Sequence, residues 1–416
     1  MKPRRAAALI GKAVPFLLLV VATACRGQQT AQQQDVNPAL VAAVDSMLPA
    51  LEVLSGLQMR KPIALAEQSR DDLRKYVERR LAEELPDHEL DGIRQTYAAL
   101  GLIADTLDIR NLLLDLYQEQ VAGYYDPISE KFYLVSGTPV DLLRPVLAHE
   151  LVHALQDQHV NLDSLISRER GNDRQTAAQA AIEGHATVVM FAFLAQEASG
   201  AKIEPSALPD ISAQLRPALE AQHSRFPVFR GAPRIIRETM VFPYVGGSSF
   251  VQKLWVARPD QGFLPPFGSM LPQSTEQVIH PDDRFLANRD APTELRFANT
   301  KDVIYENTFG ELEMGILLVE HLGAGAADAV FGWDGDRYQL VQVNGGKLLL
   351  WQSVWDDAVS ADRFAAAYRQ TAAKRSGRNI RVERNLVEGR EGVLVVDAES
   401  GVDAATVQAP AVHIVE

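Results

Sequence analysis

The chain has 416 residues, 47% of them hydrophobic, with 41 Lys+Arg against 54 Asp+Glu and a single Cys. The net charge of −13 argues against nucleic acid as the main partner, because phosphate binding needs a basic face. One Cys excludes an intrachain disulfide framework and any multi-cysteine zinc or iron–sulfur site, and the length and apolar share suit two or three domains with real cores.

Residues 1–24 read as an export signal. Lys2, Arg4, Arg5 and Lys12 form a basic start, Ala13 to Ala22 an apolar run, and Ala22-Thr23-Ala24 a small-residue end. Such a run spans only roughly 15 Å as a helix, too little to cross a bilayer comfortably. Cys25 directly after the small residues resembles the lipobox of bacterial lipoproteins, in which Cys25 would carry the lipid; Ala22 stands where Leu is usual, and plain signal cleavage also fits. The chain is thus expected to be exported and held at a membrane through Cys25, or otherwise secreted. Residues 25–37, with the polar run Gly27 to Asp35, read as a flexible tether.

From Pro38 to about Leu116 the pattern is helical, with Leu73, Tyr76, Val77, Arg80 and Leu81 on one face and Leu107, Leu112, Leu113 and Leu116 repeating the habit. Gly123 to Val135 changes period and reads as a hairpin around Pro127. Helices are expected from about Leu142 to Gln158 and from Thr176 to Glu197. Ile203 to Thr300 is Pro-rich and reads as irregular, with one helical patch near Ser248–Val256. A short helix over Gly310–Leu322 precedes the last unit. That unit should hold a hairpin (Tyr338–Val343, Lys347–Val354, turning at Gly345-Gly346), a helix over Ser360–Lys374 capped by Ser360, and strands near Ile380–Arg384 and Gly392–Val396. Trp333, Trp351 and Trp355 read as its core.

The chemistry concentrates in His149-Glu150-Leu151-Val152-His153. Imidazoles four apart on a helix share a face, about 5–6 Å apart at Cβ, and can both reach one Zn²⁺. Glu150 is then about 100° around from His149, beside the metal without having to ligate it, where a general base for a metal-activated water must stand.

Three residues compete to be the third ligand. His159 would need the chain to turn after His153, and Gln156 stands where a turning glycine would be required. Glu183 lies on the second helix among Ala180, Ala181, Gly184 and Ala186, where a carboxylate is rarely left unpaired and where a mid-helix glycine costs about 1 kcal/mol that something local must justify. His185, two residues on, faces a different side, so it and Glu183 should not bind the same ion. Glu183 is the best placed of the three.

The phrases Ala148 to His159 and Glu183-Gly184-His185-Ala186-Thr187 resemble a gluzincin-like group of bacterial zinc metallopeptidases, and Phe242 to Val245, Ser274 to Pro281 and Gly335 to Tyr338 are similar to further stretches of it. Where this chain has His185 the group has Asp. The resemblance implies an α+β fold. It would have a mainly helical zincin-like core over residues 117–322, with a β-hairpin before the metal helix. An N-terminal helical region over 38–116 and a C-terminal α+β unit over 323–416 would flank it. It also implies Zn²⁺ on His149, His153 and Glu183, Glu150 as base, a peptide or protein substrate paired along the hairpin, and an oxyanion donor, for which Tyr244 and His280 in Pro-flanked segments are candidates. Asp157 could accept from a ligand imidazole. The alternative is a metal-binding pseudoenzyme acting as a structural or binding lipoprotein.

Overall fold

The computed structural model describes residues 37–138, 140–167, 171–222 and 226–415; the signal, Cys25 and all of the tether except Asn37 lie outside the described residues. The architecture is mixed α+β with helix predominating.

Helix α1 (Pro38–Ser55) starts where local rules place it: the Asn37 side chain accepts from the Ala39 N–H, Pro38 occupies the first turn, and Gly56 ends it in the left-handed region at φ 67°. A strand, β1 (Ala64–Gln68), then interrupts the region expected to be all helical. Its sequence Ala-Leu-Ala-Glu-Gln favours helix, but its backbone finds a parallel partner 67 residues further on, and that long-range ladder overrides the local preference. Helices α2 (Arg70–Glu84), α3 (Asp87–Ala99) and α4 (Ile109–Gln120) follow. Strands β2 (Gly123–Asp126) and β3 (Lys131–Val135) form the hairpin, giving a sheet of order β1-β3-β2.

Helix α5 (Val140–Asp157) carries the His-Glu-x-x-His run, and α6 (Asn172–Ser199) carries Glu183. Pro145 sits in the second turn of α5, so that one intrahelical bond is missing there. Helix α6 is buried from Ala177 to Phe193 apart from Gln179 and forms the centre of the molecule. The region read as irregular in fact holds α7 (Ile211–Gln222) and α8 (Arg234–Ala257). Pro243, Gly246 and Gly247 pose as breakers in α8, yet Val241, Val245, Phe250, Val251 and Leu254 are all buried, and packing on α6 outweighs the poor local propensity.

Beyond β4 (Leu295–Phe297), strand β5 (Val303–Asn307) and helix α9 (Gly310–Leu322) lead into β6 (Trp333–Val343), β7 (Gly346–Trp355), α10 (Ala358–Lys374), β8 (Arg378–Val387) and β9 (Arg390–Glu399). The five strands make an antiparallel sheet of order β5-β6-β7-β9-β8, so the sheet reaches back beyond residue 323, and β10 (Val412–Ile414) pairs with β4. Helix α10 is capped by Asp357, whose carboxylate accepts from the Ser360 N–H at 2.7 Å, rather than by Ser360. Trp351 meets Phe364 and Tyr368 edge-on and Trp355 stacks on Phe364 at 4.7 Å, so these rings, with buried Trp333, form the layer between α10 and the sheet.

Candidate metal centre

Three side chains from two helices converge. His149 Nε2 lies 3.0 Å from His153 Nε2 and 3.0 Å from Glu183 Oε2, and His153 Nε2 lies 3.3 Å from the same oxygen. Ligands of a tetrahedral zinc at 2.0–2.1 Å stand about 3.3 Å apart, so this trio needs only tenths of an ångström of adjustment to hold one cation. Among the described residues it is the one group of three or more His, Cys, Asp or Glu side chains close enough to do so. All are buried: His149 and Glu183 keep 4% exposure and His153 none. Two imidazole nitrogens facing a carboxylate at this range, out of water, form a donor set that suits zinc.

Electrostatics follow from that burial. Desolvation would raise the Glu183 carboxyl, but His153 and His149 outweigh it and hold it low, so Glu183 carries its charge. Burial lowers His149. Burial also pushes Glu150 up to about 8, opposed by His153 and by the N–H of Tyr125, which donates to Glu150 Oε2 at 2.6 Å. That N–H belongs to the buried edge of β2 that pairs with no other strand. The other oxygen, Oε1, is buried without a hydrogen-bond partner. Glu150 is thus a fixed, basic carboxylate with unused capacity beside the trio.

The close approach of α6 and α8 explains Gly184. A methyl group on Gly184 would fall inside the carbonyl of Gly247, and one on Gly247 inside the carbonyl of Ala180. With the backbones in contact, α8 brings the Tyr244 ring to 6.0 Å from the ring of His149, inclined at 28°. The Tyr244 hydroxyl is buried and lies near Glu183, whose charge adds to burial in raising it well above its ordinary value, yet it completes no hydrogen bond of normal geometry. Tyr244 therefore stands over the trio from the middle of a helix, not from a Pro-flanked loop as its neighbours suggested.

The other candidates are placed elsewhere. His280, at the end of the short helix Thr275–Ile279, pairs with Glu311 at 2.8 Å and meets Phe331 edge-on. It lines a cavity of about 710 Å³ whose walls include none of the trio. His159 faces the carbonyl of Gln58 at 2.8 Å, beyond the end of α5. Asp157 accepts from the Tyr125 hydroxyl and the Leu162 N–H, not from an imidazole. The residue that does hold a ligand imidazole is Gln156, whose Oε1 lies 2.8 Å from His153 Nδ1. His185 turns away from the trio toward Gln156 and the carbonyls of Ser55 and Phe263. The spacing of three from His153 to Gln156 on one helix face was the available signal for this contact.

A family described as a domain of unknown function, DUF8575, matches residues 299–416. That span holds the five-stranded sheet and its helix and none of the metal-centre residues. No curated protein and no solved structure matches the chain.

Proposed function

We propose that this protein is an exported zinc-dependent peptidase of the gluzincin kind, with a zincin-like core built around α5 and α6. The observation that carries the reading is the convergence of His149, His153 and Glu183 beside a buried carboxylate, Glu150, that has an unused oxygen. His149, His153 and Glu183 would hold Zn²⁺. A bound zinc ion supplies Lewis-acid chemistry, polarising a carbonyl and making water acidic enough to lose a proton near neutral pH. Glu150 would take that proton and pass it to the leaving amine, with its unpartnered Oε1 as the atom that holds it in between. Tyr244, whose buried hydroxyl lies beside Glu183, would donate to the oxyanion that develops at the attacked carbonyl. The β2 edge beside Glu150 would align an extended peptide. The signal-like residues 1–24 and Cys25 support export and a lipid anchor.

A second reading, a structural metal site in a non-catalytic lipoprotein, is favoured by the burial of the trio, which leaves a substrate little access to it. Glu150→Gln separates the two. In the peptidase it keeps its zinc and loses chelator-sensitive casein cleavage by about 10²–10⁴-fold. Cleavage unchanged by the substitution rejects Glu150 as base; a zinc-loaded wild type that cleaves neither casein nor a peptide library supports the structural reading.

A further inference from the structure

Behind His153 lies a chain of buried hydrogen bonds in which every proton can be assigned from groups that only accept. Gln156 Nε2 lies 3.1 Å from the backbone carbonyl of Ile182 and must donate to it. This fixes the orientation of the amide, so Oε1 is the atom facing His153 Nδ1 at 2.8 Å, and His153 must be the donor there. His153 then carries a proton on Nδ1, which leaves Nε2, the nitrogen that faces His149 and Glu183, as the one that can turn a lone pair to a cation. The second proton of Gln156 Nε2 points to His185 Nδ1 at 2.8 Å, which must accept. His185 accordingly carries its proton on Nε2, where the carbonyls of Ser55 and Phe263 both lie at 3.2 Å. Gln156, His153 and His185 are each wholly buried, and Trp255 closes the far side by meeting His185 edge-on at 5.7 Å.

We propose that Gln156 and His185 are positioning residues of the metal centre. Gln156 selects the tautomer and ring orientation of His153, and His185 holds Gln156 in place against the C-terminal end of α1 and the Phe263 carbonyl. This rests on the metal-centre reading above. His185 accepts from the amide and donates to backbone. The N-terminal helix α1 is thereby wired to a ligand through one unbroken run of hydrogen bonds.

The test is zinc affinity, read by competition with a chromogenic chelator on the full mature chain. Gln156→Leu, close in size and unable to accept, should weaken zinc binding about 10–100-fold. Gln156→Glu restores an acceptor for His153 while losing the donors to the Ile182 carbonyl and His185, so it should recover part of that loss, which a residue needed only for packing would not show. Long-range ¹H–¹⁵N spectra of the histidine rings in wild-type protein give a reading that needs no variant: His153 protonated at Nδ1 and His185 at Nε2. Equal zinc affinity in wild type and Gln156→Leu, or the opposite tautomer at His153, overturns the positioning role while leaving the metal centre standing. A wild-type chain that binds no zinc overturns both.

Discussion

Replacing Gly184 with Ala will destabilise the protein by about 3 kcal/mol and move Tyr244 away from His149. A methyl in the middle of a helix ordinarily stabilises it by about 1 kcal/mol relative to glycine. Here the new carbon would lie only 2.2 Å from the carbon and oxygen of the Gly247 carbonyl on the facing helix, backbone against backbone, with no flexible side chain able to yield. The helices must separate, and overpacking of this sort costs about 1–3 kcal/mol or more. Gly247→Ala meets the Ala180 carbonyl and should behave the same way. Gly231→Ala is the control, because a methyl there meets nothing within 4 Å; it should change stability by less than about 0.5 kcal/mol. Denaturant unfolding checks the series. Equal stability of all three variants would mean that the helices do not cross this closely.

Asp336→Ala should be at least as damaging, by about 4 kcal/mol or more, and will release the C-terminal sheet from α9. The Asp336 carboxylate, buried on β6, accepts from the N–H groups of Phe309 and Gly310 at the start of α9 and from the indole N–H groups of Trp333 and Trp351. Alanine strands four buried donors, and each orphan costs about 1–3 kcal/mol. Burial raises the carboxyl, and the four donors oppose that shift. Asp336→Asn should rescue only in part, because its amide turns two donors toward groups that themselves donate. The measurement is thermal unfolding followed by tryptophan fluorescence. Full stability of the alanine variant would show that water replaces the carboxylate.

What the sequence disclosed was what local geometry controls. His149, Glu150 and His153 could be read because helical spacing alone sets their mutual placement. Glu183 could be singled out because a carboxylate among alanines on a buried helix needs a partner. Tyr244 was singled out, but its setting was misread: Pro243, Gly246 and Gly247 look like breakers until the α6–α8 crossing supplies the reason for glycine there. Strand β1 was hidden because its partner is remote in sequence. Gln156 had only its spacing of three from His153 as a local mark, since an amide acquires a direction only when the Ile182 carbonyl and His185 surround it. The aromatic layer of the terminal unit was legible from its tryptophans, whereas the anchoring carboxylate Asp336 became visible only once α9 and two indoles were seen to point at it.

The central claim is that two imidazoles and one carboxylate from α5 and α6 bind a single cation, and metal content after exhaustive dialysis measures it directly. The account predicts about one zinc per wild-type chain. It predicts a loss of zinc affinity in Glu183→Ala well beyond the 10–100-fold expected for residues that only orient a ligand, and no loss in His159→Ala. A wild-type chain without zinc, or a Glu183→Ala variant that keeps it in full, would contradict the account.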